Sequence, residues 1–184
     1  MAPSDALTIQ DLVFRLAPGR IVTVNAVAGL LRLLDGVLRL AGLQTTRIVA
    51  VSPQAPSDRL PDTVRPITGE PAQAATLAAV TRALDTDAPV LVLFTPSAGD
   101  MLPIEALSAY AKFVTSRSYL VFMGTAFGQP WLGYSKYWFQ SAIKTIAAES
   151  GFVIDHSRNQ QLITTCPNGY LQKISDDAAH VDDI

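Results

Sequence analysis

Short β-branched runs alternate with helically spaced apolar stretches along this chain of 184 residues. Ile21–Val24 reads as a first strand. Residues 26–41 follow with the spacing of a helix, apolar over most of its surface through Leu30, Leu31, Leu33, Leu34, Val37, Leu38 and Leu40. Arg32, Asp35 and Arg39 leave one narrow polar stripe, which reads either as a solvent-facing edge or as a salt-bridged interface contact. Arg47–Val51 is the next strand, followed by a Pro-rich connection, Ser52–Pro61, and a short strand at Thr63–Ile67. Pro71–Leu84 and Pro103–Val114 carry helical spacing, each with a proline near its start. Between them, Pro89–Phe94 holds a continuous apolar run of the kind found in strands buried on both faces. Ser118–Phe122 is a second such strand. Residues 126–134 read as a loop and Ser135–Ser150 as a helix with Ser135 at its N-cap. A further helix is expected at Leu7–Leu16. At the end, Phe152–Asp155 and Gln161–Thr165 read as two antiparallel strands joined by a polar turn at His156–Gln160.

This alternation predicts an α/β fold with a mostly parallel, Rossmann-like sheet, helices on both faces and a C-terminal antiparallel strand pair, in the manner of class I methyltransferases. One domain over 1–175 is expected, with an acidic, frayed tail over 176–184. Ligands of such sheets sit outside the carboxyl ends of the strands. That directs attention to loops 25–29, 52–54, 95–101 and 123–134.

Composition narrows the function classes. Apolar residues make up 49% and charged residues 16%, against about 25% charged in an average soluble domain. Disorder is excluded by that balance. Lys and Arg number 14 against 16 Asp and Glu, so no basic nucleic-acid surface is expected. The apolar stretch Ile21–Leu43 is interrupted by Asn25, Arg32, Asp35 and Arg39, and no membrane span is expected. A single cysteine, Cys166, excludes an internal disulfide, and Met-Ala-Pro-Ser-Asp at the start has no signal-peptide character. Both point to the cytoplasm. So few charges suggest a chain that buries surface in a partner as well as in its own core.

The second half carries a recognisable frame. Val90–Phe94 is followed by Ala106-Leu107-Ser108-Ala109-Tyr110-Ala111-Lys112-Phe113-Val114 and then by Ser118-Tyr119-Leu120-Val121-Phe122. Phe152-Val153-Ile154-Asp155 and Thr164-Thr165-Cys166-Pro167-Asn168-Gly169-Tyr170-Leu171 complete it. In these segments the chain resembles the cephalosporin hydroxylase-like and rhamnosyl O-methyltransferase family, over roughly residues 88–174. The resemblance implies an S-adenosylmethionine (SAM) pocket and a divalent metal beside it. Carried over position by position, both are thinned. At the acid of the first strand stands Thr23, at the first glycine of the following turn Asn25, and at the second glycine Gly29. Ser52 occupies the place of the ribose-binding acid and Pro53 follows it. After the fourth strand the family's Asp-Ser-x-His reads Thr95-Pro96-Ser97-Ala98, and after the fifth its Glu-Asp reads Met123-Gly124. A hard divalent cation is held mainly by oxygen ligands, usually with carboxylates among them. None of these positions supplies one, so no metal is expected. The degenerate cofactor pocket would comprise Asn25, Gly29, Ser52 and Thr95. Asp100, Glu105 and Lys136 are the weak catalytic candidates.

Other chemistry is sparse. His156 follows Asp155, but neighbours on a strand point to opposite faces, so the two do not form an oriented pair; a solvated turn histidine is the default. His180 lies in the tail. Cys166 reads as buried and inert, with no basic residue nearby to activate it. Aromatics crowd into residues 127–139, including both tryptophans. Phe127, Trp131, Tyr134 and Trp138 read either as a substrate or partner surface or as packed core.

Two functional expectations result. One is a degenerate methyltransferase-like protein that has lost the metal site and most of the SAM motif. It would act as a non-catalytic partner or regulatory subunit of a homo- or hetero-oligomer, with an intact relative as one candidate partner. The other is a metal-independent SAM-dependent O-methyltransferase, or a repurposed enzyme, acting on a small natural product or a sugar hydroxyl.

Overall fold

The computed structural model describes residues 2–84, 87–95, 104–125, 136–160 and 164–174. The chain opens with helix α1 (Pro3–Leu16). Its start is fixed by Pro3 at the first helical position and by Asp5, whose carboxylate reaches back to accept from the Ala2 N–H at 3.2 Å. There follow β1 (Arg20–Val24), α2 (Ala28–Leu40), β2 (Arg47–Ser52), β3 (Val64–Thr68), α3 (Ala74–Ala83) and β4 (Val90–Phe94). The second half holds α4 (Ile104–Ala111), β5 (Tyr119–Phe122), α5 (Lys136–Ser150), β6 (Phe152–Ile154), a 3-10 helix (His156–Gln160) and β7 (Tyr170–Lys173).

The seven strands form one sheet in the order β3-β2-β1-β4-β5-β7-β6. The first five are parallel, and β7 runs antiparallel to both β5 and β6. The methyltransferase-like sheet expected from the alternation is therefore present. The composition of the terminal pair differs from expectation. The partner of β6 is Tyr170–Lys173, in the register Ile154↔Leu171; of the strand expected at Gln161–Thr165, residues 161–163 lie outside the described residues. Residues 156–160 form a 3-10 helix rather than a hairpin turn, and 164–165 lie outside any strand. The physical cause is Asp155: it accepts from the Ser157 N–H at 3.1 Å and from the Ser157 hydroxyl, which turns the chain away from the sheet edge.

Burial follows the pleat. Ile21, Ile48, Leu91, Leu93 and Val121 face α1 and α2, and pack with Leu12, Leu34 and Leu38. Val22, Val49, Val92, Phe94 and Leu120 face the opposite way, onto Val80, Tyr110 and Ile146 of α3, α4 and α5. Every residue of β4 is buried, as its uninterrupted apolar run requires. Pro66 sits inside β3 without penalty because β3 is an edge strand with one side unpaired. The polar stripe of α2 is more than a wet edge. Asp35 is buried and accepts from Thr63 Oγ1 at 2.7 Å and Arg39 Nε at 2.9 Å. Arg32 reaches Asp58 at 3.2 Å. Among the described residues no helix is long and apolar enough to cross a membrane.

Candidate functional site

The chain order places the topological switch between β1 and β4, which are neighbours while the strands on either side lead away in opposite directions. At the carboxyl ends the ladder runs one step past the strands. The Asn25 N–H donates to the Val51 carbonyl at 2.9 Å, Thr95 N–H to Val24 at 3.0 Å and Met123 N–H to Phe94 at 2.9 Å. Asn25, Thr95 and Met123 therefore mark the mouth of the sheet.

Asn25 has φ 58°, a left-handed conformation. Asparagine is the non-glycine residue that, with aspartate, adopts it most readily. The turn from β1 into α2 thus keeps the backbone shape that a glycine would give. Gly29, placed by sequence in that turn, lies inside α2, and a Cβ added there would meet nothing within 4 Å. The start of α2 faces open space. Ser52 closes β2: its carbonyl accepts from the Gly69 N–H at 2.9 Å and its hydroxyl accepts from the Gln54 N–H at 3.3 Å. That leaves the Ser52 O–H as one remaining donor. An adenosyl cofactor fits the open turn and helix start; the carboxylate for its ribose is missing from the end of β2.

A cavity of about 370 Å³ lies beside these residues. It is lined by the start of α2, the end of β2, the 54–60 connection and the end of β3, and so holds Ser52 but not Thr95. Thr95 stands with Met123 on the neighbouring strands, its hydroxyl 3.9 Å from the Met123 Sδ. A threonine hydroxyl and a thioether do not fit a hard divalent cation. Among the described residues no three His, Cys, Asp or Glu side chains come together as a metal site. Glu105 is exposed in the first turn of α4. Asp100, Phe127, Trp131, Tyr134, Ser135 and the 176–184 tail lie outside the described residues, as do the side chains of Lys136 and Trp138.

Two polar clusters went unread in the sequence. Asp5 is fully buried and accepts from Thr164 Oγ1 at 2.6 Å, the Thr165 N–H at 3.0 Å, the Thr165 hydroxyl and Tyr170 O–H at 3.4 Å. Burial opposes its charge, but these donors outweigh burial and hold the carboxyl below the usual range. Cys166 is buried beside this cluster, its thiol pushed up by burial and then by the Asp5 charge, which makes it a poor nucleophile. In the second cluster Arg158 bridges Asp11 of α1 and Asp155 after β6. Tyr119 donates to Asp155 at 2.8 Å, and its phenol is pushed up to about 12 by burial and then by that carboxylate. His156 is exposed on the 3-10 helix. The partners of Asp5 lie some 160 residues away in the chain, beyond any local pattern.

Residues 1–174 match the sequence pattern of the family described as Rhamnosyl O-methyltransferase/CmcI. Solved structures with a similar fold include apo CmcI, at a TM-score of 0.70 and 11% identity, covering 95% of this chain and 72% of that one. CmcI with Mg and SAM is equally similar, at 0.70 and 12% identity. MycE methyltransferase from the mycinamycin biosynthetic pathway, in complex with Mg, SAH and mycinamycin VI, has a TM-score of 0.60 at 13% identity. That match covers 99% of this chain and 51% of the MycE chain. No curated protein was matched by sequence.

Proposed function

Because the chain belongs to the Rhamnosyl O-methyltransferase/CmcI family, we propose that it is a member without the metal-assisted step, serving as a non-catalytic partner or regulatory subunit of an oligomer. One observation carries this reading. Where the resemblance places carboxylates after the fourth and fifth strands, the described side chains are Thr95 and Met123, 3.9 Å apart. Neither bears the charge that would anchor a hard cation. Asp100 adds at most one carboxylate, too few for a strong site. The partner half of the proposal draws support from α1, where Leu7 and Phe14 are 64% and 48% exposed. They are spaced i, i+7 and so share one face of the helix.

A second reading is favoured by the Asn25 turn and the cavity at the end of β2. The chain would be a metal-independent SAM-dependent O-methyltransferase, acting on a small natural product or sugar hydroxyl by holding donor and acceptor together. The two readings separate in one assay. The purified protein is incubated with SAM and a panel of sugar and natural-product alcohols, with and without Mg, and SAH release is followed. No SAH under either condition is expected. Turnover without Mg would favour the second reading, and turnover that requires Mg would overturn both. Light scattering after size exclusion tests the subunit half. An oligomer, alone or with an intact relative, is expected, and a monomer that assembles with neither counts against it.

A further inference from the structure

The sheet ends in β3 on one side and β6 on the other, and the two edges are closed differently. On β3, Pro66 has no N–H to offer and Arg65 is exposed beside it. Both features keep an edge from recruiting another strand. β6 carries neither a proline nor a charge over Phe152–Ile154. Its ladder with β7 runs one step past the strand at each end. The Ile174 N–H donates to the Gly151 carbonyl at 3.0 Å, and the Asp155 N–H to the Tyr170 carbonyl at 2.8 Å. Along an antiparallel pair, hydrogen-bonded positions alternate with positions whose groups point the other way. Gly151, Val153 and Asp155 therefore turn their backbone groups toward β7, while the N–H and C=O of Phe152 and Ile154 point out of the sheet. Among the described residues no other strand pairs with them. Phe152 and Ile154 send their side chains into the core shared with α5. Val153, opposite Gln172, lies with Ile174 on the α1 side of the sheet, and the two are 43% and 55% exposed. The charges nearby are already matched. Asp155 accepts from Tyr119, Ser157 and Arg158, and the Lys173 ammonium donates to the Val114 carbonyl.

We propose that β6 is the seam of a symmetric dimer, pairing antiparallel with β6 of a second copy about a two-fold axis at Val153. The assignment rests on the oligomer reading above and names the partner for it. In that register Phe152 exchanges both backbone hydrogen bonds with the second copy's Ile154, and Ile154 with its Phe152, so the outward groups of both edges are satisfied together. Val153 meets its own copy as a closely spaced, non-hydrogen-bonded pair, apolar against apolar, with Ile174 beside it. Asp155 falls opposite the second copy's Gly151 rather than another acid, so no like charges are brought face to face. An acidic or basic partner segment would find no free countercharge on Phe152–Ile154. So short a seam covers less than a standard interface, and the dimer is expected to be weak and concentration-dependent.

Sedimentation equilibrium and amide hydrogen exchange test it on the full chain, over about 5 µM to 1 mM, with wild type, Val153→Lys and Leu40→Lys. Wild type is expected to approach the dimer mass as concentration rises. Over the same range the Phe152 and Ile154 amides should slow by at least about 3-fold, while the Val153 amide, already turned to β7, changes little. Val153→Lys sets two ammonium groups against each other at the axis and is expected to weaken the dimer at least about 10-fold, with its circular dichroism unchanged. Leu40→Lys places the same charge on an exposed leucine at the end of α2 and is expected to dimerise like wild type. A dimer as strong in Val153→Lys as in wild type overturns the assignment and leaves the oligomer reading standing. So does a dimer in which the Phe152 and Ile154 amides exchange as fast as in the dilute protein. Wild type that stays monomeric at the highest concentration overturns it as well, while the subunit reading is judged separately by mixing the chain with an intact relative.

Discussion

Asp5 shows how much one side chain can hold. It caps α1 from within and collects donors from Thr164, Thr165 and Tyr170, so the first turn of the chain is tied to the approach to β7. Its carboxyl is more acidic in the folded chain than in the unfolded one. The stability it contributes is therefore fully present above its unfolded value, near pH 4, and is lost as pH falls through the lower folded value. Asp155 and Asp11 are shifted the same way and add to the same acid limb. Asp5→Asn places an amide donor among donors. It is expected to cost about 1.5–3 kcal/mol, seen as a fall in Tm of roughly 3–12 °C at neutral pH. The difference between variant and wild type should shrink as both are taken toward pH 3. A difference that stays constant with pH would mean the Asp5 charge is irrelevant. None of this could be read from Met-Ala-Pro-Ser-Asp, because what makes Asp5 matter is a loop at the far end of the sequence.

At the scale of elements, the apolar alternation was legible wherever a strand is buried on both faces. β1, β2, β4 and β5 stand within a residue or so of their expected bounds, because their patterns admit no other reading. The sheet's antiparallel edge was harder. Gln161–Thr165 and Tyr170–Lys173 each place two apolar residues side by side without strict alternation, and segments this short carry too little pattern to choose between them. Besides the turn at Asp155, Gly169 favours the second segment. A Cβ there would stand 2.3 Å from the Phe122 carbonyl oxygen and 3.1 Å from that of Cys166. The Gly169 carbonyl also accepts from the Phe122 N–H at 2.7 Å. Only glycine lets the chain approach β5 this closely and enter it as β7. Gly169→Ala is accordingly expected to destabilise by about 1–3 kcal/mol through steric displacement of β7. Urea unfolding followed by circular dichroism measures it, and an unchanged midpoint would contradict so close an approach.

For the molecule as a whole, the low charge fraction gains an explanation in the fold. Several of the few charges are used internally: Asp5 under α1, Asp35 with Thr63, and Arg158 between Asp11 and Asp155. Among the described residues, Asn25, Ser52, Thr95 and Met123, at the ends of β1, β2, β4 and β5, are all uncharged. Those positions were legible in the sequence because the family frame assigns them. The cavity beside them was not, since its walls come from three separated stretches joined only by folding. As proposed above, this mouth lacks the chemistry to hold a divalent cation. Electron paramagnetic resonance of Mn²⁺ tests it most directly, because the six-line signal of the free ion broadens when the ion is bound at a protein site. With the protein in excess over Mn²⁺ and SAH present, the free-ion signal is expected to remain at its buffer intensity. Loss of that signal with one-to-one stoichiometry would contradict the account.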